Sequence, residues 1–170
     1  MRRQRTTPSF AGRRAASRGA RRAAQAASKK SDTTCETVLR RTLWAMGLRY
    51  RKCMPEVPGR PDIVFPRQKI AVFCDGDFWH GRNLKSRLAR LSRGHNAPYW
   101  VAKIRTNVRR DRAISKRLAA ENWCVVRLWE TDILRDPTAA AGVVAACLKK
   151  LRTRAPNNRL QRTARCAARR

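Results

Sequence analysis

The segment FCDGDFWHG, residues 73–81, gathers two aspartates, two aromatic rings and a histidine at the end of an apolar run, and a second apolar run, DIVF, opens on Asp62. The two runs are joined only by PRQ, which suits a tight hairpin. With Phe65 opposite Ile70, Asp62 faces Phe73 and Asp75 lies diagonally beside Asp62 on the same face of the sheet. A slip of one residue would send the carboxylates to opposite faces. Converging carboxylates, with Glu36 available from a preceding helix, make an oxygen-rich site for a hard cation such as Mg²⁺ alongside a substrate phosphate. A cation held there polarises a phosphodiester and activates water. His80, in a glycine-flanked loop, has the side chain that passes protons near neutral pH, although a lone histidine serves equally well as a structural group.

The elements that must position these groups can be read outward from them. SDTTCETVLRRTLWAMG carries Thr33 three residues before Glu36, a capping-box spacing, then Leu39, Leu43 and Met46 at helical intervals, and Gly47 ends it. Glu36 thus has two readings, a helix cap or an acid at the edge of the buried stripe. RYRKC is a short strand candidate, and the prolines and glycine of MPEVPGRP enforce a loop. The runs DIVF and KIAVFC do not alternate with polar residues, which predicts strands buried on both faces of a sheet covered by helices. NLKSRLARLSRGHNAP is basic without an acid and reads as a loop or short exposed helix. YWVAKIRTNVRRDRAISKRLAAEN has the longest helical stripe, Val101, Ile104, Val108, Ile114 and Leu118, with Asn107 and Asp111 inside it. A buried aspartate needs a partner, and an arginine is the expected one. WCVVRLWE reads as another strand and DPTAAAGVVAACLKKL as a last helix starting near Asp136 and Pro137.

The charge balance narrows the partner. The chain of 170 residues has 41 Lys and Arg against 11 Asp and Glu, a formal charge of +30. That excess suits a polyanion such as nucleic acid. Residues 1–31 carry ten basic residues and no acid, yet the middle of the chain is also basic. We therefore expect a disordered basic arm over 1–31, for which an organelle transit peptide is the alternative, a folded domain over 32–152 and a disordered basic tail over 153–170. The longest strongly apolar run, AAAGVVAACL, falls short of the ~20 residues that span a bilayer, so no membrane helix is expected. Six cysteines without a C-x-x-C pair read as reduced and structural in a cytoplasmic, nucleoid-associated protein, and a zinc site is not expected.

PGRPDIVF, IAVFCDGDFWHG, YWVAKIRTNVRRDR and NWCVVRLWE together resemble, in order and spacing, the very short patch repair endonucleases, which nick DNA beside T:G mismatches. The resemblance implies a restriction-endonuclease-like α/β fold related to the PD-(D/E)xK nucleases, a central mixed sheet flanked by helices, and Mg²⁺-dependent hydrolysis of one strand. By position Asp62 resembles the family's metal-binding aspartate, Cys74 the residue whose main-chain carbonyl is a further ligand, His80 its catalytic histidine and Glu36 its helix-one glutamate. Phe78, Trp79 and Trp100 match the aromatics that enter the DNA, and Lys103, Asn107 and Asp111 match positions on the helix that follows. Outside that setting, Phe78 and Trp79 are also compatible with a core role. Asp75 stands where the best-known members carry another histidine, which adds a carboxylate to the metal site. Asp77, Arg82, Leu84 and Thr131 stand where those members hold a structural zinc, so a zinc-lacking variant is expected.

The site expected from all this has Asp62, Asp75, His80 and Glu36 as catalytic groups, with Asp62, Asp75 and Cys74 at the metal. Phe78, Trp79, Trp100, Lys103, Arg60 and Arg110 face double-stranded, mismatched DNA, and other mismatch repair proteins are possible partners. Two rival readings are a restriction-type or general repair nuclease without T:G specificity, and a non-catalytic basic DNA-binding protein on a nuclease scaffold.

Overall fold

A computed structural model describes residues 18–19, 31–94 and 96–154. The expected basic arm and basic tail fall, save for Arg18, Gly19, Ser31, Thr153 and Arg154, outside the described residues. Among the described residues no helix is long and apolar enough to cross a membrane.

Helix α1, Thr34–Ala45, starts where the capping spacing predicts: the Thr33 side chain accepts a hydrogen bond from the Glu36 amide at 3.4 Å. The Glu36 carboxylate closes the cap by accepting from the Thr33 hydroxyl at 2.8 Å and the Asp32 amide at 3.0 Å. Strand β1, Ile63–Phe65, turns through a single 3₁₀ turn at Pro66–Gln68 into β2, Ile70–Asp75. Lys69 takes the left-handed conformation (φ 51°) that closes this hairpin. The antiparallel register is Phe65 with Ile70, Val64 with Ala71 and Ile63 with Val72, one of the alignments that the apolar runs leave open.

Strand β3, Cys124–Trp129, pairs parallel with the other edge of β2, so the sheet is mixed, in the order β1-β2-β3. A parallel neighbour requires a crossover. Helices α2, Leu84–Leu91, and α3, Ala97–Ala120, provide it, and α4, Glu130–Arg135, and α5, Pro137–Arg154, complete the chain. Both faces of the sheet are buried. Ile63, Phe65, Ile70, Val72 and Val126 pack with Leu39 and Leu43 of α1, Ile133 of α4 and Val144 of α5. Val64, Ala71 and Phe73 pack on the other side with Val57 and with Leu118 of α3. Side chains alternate between these layers along each strand, which explains the unbroken apolar runs.

Two segments depart from expectation. RYRKC forms only a bridge, Arg51 with Val64, because the prolines and glycine that follow carry the chain away from the edge of β1. Helix α4 was not foreseen: it has six residues and one buried side chain, Ile133, too little for a helical period to show.

Helix α3 presses directly on the backbone of two loops. A Cβ on Gly59 (φ +84°) would lie 2.5 Å from Ile114 Cγ2, and one on Gly81 (φ +75°) would lie 2.8 Å from Val108 Cγ2. These loops precede Asp62 and follow His80. Gly59→Ala and Gly81→Ala should each cost about 1–3 kcal/mol, through left-handed strain plus overpacking. Urea denaturation reads this directly; unchanged midpoints would mean that α3 does not approach these loops so closely.

Candidate active site

The C-terminal end of β2, the entry to β1 and the N-terminal turn of α1 meet at one end of the sheet. Asp62, just before β1, donates its amide to the Val72 carbonyl at 3.0 Å, and its Oδ2 accepts from the Cys74 amide at 2.7 Å. Among the described residues its Oδ1 has no hydrogen-bond partner and the carboxylate has no ion pair. Burial, reinforced by the negative charges of Glu36 and Asp75 and only partly offset by the Cys74 amide and Arg40, pushes its pKa up to about 6. Burial and the nearby Asp62 carboxylate also push the Cys74 thiol far up, so its side chain is a neutral thiol.

The other expected acids have partners. Asp75, buried, accepts from Arg127 Nε at 2.6 Å and Nη2 at 2.7 Å in a two-pronged fork. Glu36, besides capping α1, is bound by Arg40 Nη2 at 3.2 Å, and Arg40 also reaches Asp32 at 2.7 Å. Accordingly, among the described residues no group of three or more His, Cys, Asp and Glu side chains is arranged to hold a metal ion. What the end of the sheet offers is narrower: one half-buried carboxylate with a free oxygen and a shortage of positive charge, next to main-chain carbonyls. That donor set suits Mg²⁺, which is commonly held by one or two carboxylates with water and substrate phosphate rather than by a protein cage.

His80 sits in the loop after β2, where its Nδ1 meets Asp111 Oδ2 at 2.7 Å and lies 3.4 Å from Asp75 Oδ1. Its Nε2 has no hydrogen bond among the described residues. Burial pushes the Asp111 carboxyl up, but the His80 hydrogen bond and the charges of His80, Arg127 and Arg110 outweigh it and hold the pKa below the ordinary value. The arginine partners expected for Asp111 are present, Arg110 at 3.3 Å and Arg127 at 3.7 Å, but the shortest contact is to the histidine. One turn earlier on α3, Asn107 Nδ2 donates to the Trp79 carbonyl at 3.0 Å, so α3 grips the loop at two points.

Phe78, Trp79 and Trp100 come together: their ring centroids are 4.9 Å (Phe78–Trp79), 5.7 Å (Phe78–Trp100) and 6.1 Å (Trp79–Trp100) apart. Arg87 lies over Phe78 at 5.3 Å. All three rings are half-buried. Lys103 follows Trp100 on α3, and exposed Arg60 and Arg110 flank the His80 side. Of the positions tied by resemblance to zinc, Asp77 accepts from the Thr131 hydroxyl and from Arg82 Nη1 at 3.5 Å, and Arg82 Nη2 reaches Asp132 at 2.8 Å. These contacts tie the His80 loop to α4, while Leu84 begins α2.

Comparison with known proteins decides the family. The sequence model described as DNA mismatch endonuclease Vsr matches residues 16–86. The type II nicking enzyme V.NmeDIP of Neisseria meningitidis serogroup C is 39% identical over 122 residues, 72% of this chain and 81% of that protein. The chain belongs to the Vsr endonuclease family. The type II nicking enzyme V.HpaIIP of Haemophilus parainfluenzae is 40% identical over 66% of this chain and 79% of its own length, and the DNA mismatch endonuclease Vsr of Escherichia coli K12 is 34% identical over 58% and 62%. This Vsr-family chain is therefore a DNA endonuclease, a phosphodiester hydrolase, and its mixed sheet with flanking helices is the restriction-endonuclease-like fold. The reading as a non-catalytic scaffold is thereby set aside.

Arg127 was missed in the sequence. Its signal was a lone charge inside the otherwise apolar strand CVVRLW, which demands a buried acid.

Asp62 is held at an electrostatic disadvantage that can be measured. Between about pH 4 and 6 the unfolded chain has already ionised this carboxyl while the folded one keeps its proton, so stability falls as pH rises across that window. The penalty is then constant, about 3 kcal/mol at neutral pH as an upper figure. In EDTA, Asp62→Asn should stabilise the Vsr-family protein by about 1–3 kcal/mol at pH 7–8 and by nothing below about pH 4. Denaturant titrations at both pH values test this; a destabilised variant at pH 8 would show that Asp62 is not short of positive charge.

Proposed function

We propose that this endonuclease nicks one strand of double-stranded DNA beside a T:G mismatch, with Mg²⁺ bound at Asp62. The observation that carries the reading is a pair of aspartates in opposed environments: Asp62, unpaired among the described residues with its pKa raised, and Asp111, hydrogen-bonded to His80 with its pKa lowered. Environments that push two carboxyls apart in this way separate their roles.

Asp62 and the Cys74 main-chain carbonyl would hold the cation, which when bound supplies polarisation of the phosphodiester and an activated water. Glu36 contributes negative potential at Asp62 while fixed by Thr33 and Arg40. Asp111 fixes His80 through Nδ1, which leaves Nε2 as the atom that takes or returns the proton. The Phe78, Trp79 and Trp100 cluster supplies the rings that wedge a distorted base step, and Lys103, Arg60 and Arg110 supply phosphate contacts. Cutting in the cytoplasm, at the nucleoid and alongside other mismatch repair proteins, belongs to the same reading.

The relatives named as type II nicking enzymes favour single-strand cutting and leave room for a second reading, in which the same chemistry acts without T:G specificity. Incubation of the purified protein with T:G and matched duplexes, with Mg²⁺ or EDTA, separates the two. Nicking of the T:G duplex alone, in Mg²⁺ alone, is expected; equal cutting of both duplexes selects the second reading, and no cutting of either overturns both.

The role given to Asp111 has its own check. Asp111→Asn should lower kcat on the order of 10–10³-fold with little change in DNA affinity, because the histidine loses its orientation rather than the enzyme its substrate. A matching fall in affinity would make the residue a structural support instead.

A further inference from the structure

The Asp75–Arg127 pair does not belong to a simple metal site. Arg127 lies opposite Phe73 in the β2–β3 register, with its guanidinium carbon 4.7 Å from the centroid of the Phe73 ring. Its fork uses both oxygens of Asp75, and Nη2 also approaches Asp111 Oδ2 at 3.7 Å. A carboxylate so engaged already has its charge balanced by an arginine and keeps only its remaining lone pairs for a cation. The third nitrogen, Nη1, is buried and has no hydrogen-bond partner among the described residues. A covered donor without an acceptor needs an explanation, and an acceptor that arrives with a ligand is one.

The surroundings identify the class of ligand. A recess of about 690 Å³ beside His80 is lined by Arg60, Arg110, Arg117 and Arg127, and among the described residues Asp111 is its only acid. Four guanidinium groups around a proton-transferring histidine match an oxyanion of the phosphodiester type, for which the planar arginine fork is the suited donor. Arg60 and Arg110 stand on the exposed rim, whereas Arg127, with its side chain 24% exposed, forms the floor.

We propose that Arg127 holds a backbone phosphate of the DNA strand being cut, and that Asp75 is a positioning residue that fixes Arg127 rather than a ligand of the cation. This rests on the DNA-nicking reading but makes its own demands. Charge counting distinguishes positioning from simple loss of an acid: removing an acid from a DNA-binding surface tightens binding, whereas misplacing a phosphate contact weakens it.

The test uses the full-length protein and a T:G duplex in EDTA, with affinity measured by fluorescence anisotropy over a KCl series. Arg127→Gln should weaken binding roughly tenfold and reduce the slope of log affinity against log salt by about one. Asp75→Asn should weaken binding in the same direction despite its more positive charge, while Asp62→Asn should not. Arg127→Lys, which keeps the charge, should restore most of the slope; if Arg127→Gln proves unfolded by circular dichroism, Asp75→Asn decides the matter, because tighter binding there would show that no phosphate contact had been misplaced. In a parallel thermal-shift titration with Mg²⁺ alone, Asp75→Asn should keep the stabilisation that Asp62→Asn loses. Wild-type affinity and slope in both Arg127 variants would overturn the phosphate contact, and loss of the Mg²⁺ shift in Asp75→Asn would make Asp75 a metal ligand. If the wild-type protein nicks no duplex, the nicking reading fails, yet the salt slopes measured without metal still decide whether Arg127 meets a phosphate.

Discussion

A carboxylate buried on a long helix must find partners, and those found by Asp111 hold the site together. Its ionised form is favoured by His80, Arg127 and Arg110, which come from the loop after β2, from β3 and from α3 itself. Three separate segments are thereby fixed against one charge. Asn107, one turn earlier, adds the Trp79 carbonyl, so the loop bearing the aromatic rings cannot move independently of the histidine. Removing Asp111 would leave Arg127 and His80 partly unsatisfied in a half-buried site, and breaking such a network costs more than any of its contacts contributes alone.

Asp62 is the counterpart. It lies at the same end of the sheet, yet among the described residues it accepts one main-chain amide and makes no ion pair, and its neighbours Glu36 and Asp75 raise its pKa further. A protein with 41 basic residues has ample means to neutralise one aspartate. Arginines are instead committed to its neighbours, Arg40 to Glu36 and Arg127 to Asp75. The unpaired carboxyl is thus a local property maintained against the charge of the whole chain, as expected where a positive ligand is to be bound.

Much of this was legible in the sequence, and the reason differs by element. The hairpin was legible from two apolar runs with a three-residue connection, but its register was one of the alignments left open, because strands apolar on both faces stay buried after a slip; the 3₁₀ turn at Pro66–Gln68 and left-handed Lys69 select it. The cap at Thr33 and Glu36 followed from spacing alone, since its partners are local. The stripe on α3 was readable with its two polar residues inside it, but the choice of His80 as the nearest partner of Asp111 was not. That contact spans 31 positions and depends on how the loop after β2 folds under α3. The Asp75–Arg127 fork spans 52 positions and requires the parallel pairing of β2 with β3, which no local pattern encodes. An acid at the end of one buried strand and a base inside another are, however, two halves of one observation. Each is costly alone, and their joint presence in a two-sided sheet predicts that the strands are neighbours.

The same logic bears on how the site tolerates change. Asp77, Arg82, Thr131 and Asp132 form a hydrogen-bonded clasp between the His80 loop and α4, while Asp75 and Arg127 form a second clasp between β2 and β3. Both are assembled from charges of opposite sign drawn from different segments, and both lie beside the loop that carries Phe78, Trp79 and His80. A loop of this kind cannot be stiffened by an apolar core of its own, because its rings and histidine must remain partly exposed to meet a substrate. Ionic and hydrogen-bonded ties to the surrounding scaffold are the means left to hold it, and they hold it with little apolar burial. The acids of this strongly basic chain are accordingly concentrated where arginines must be given a fixed direction, and the exposed faces are left positive.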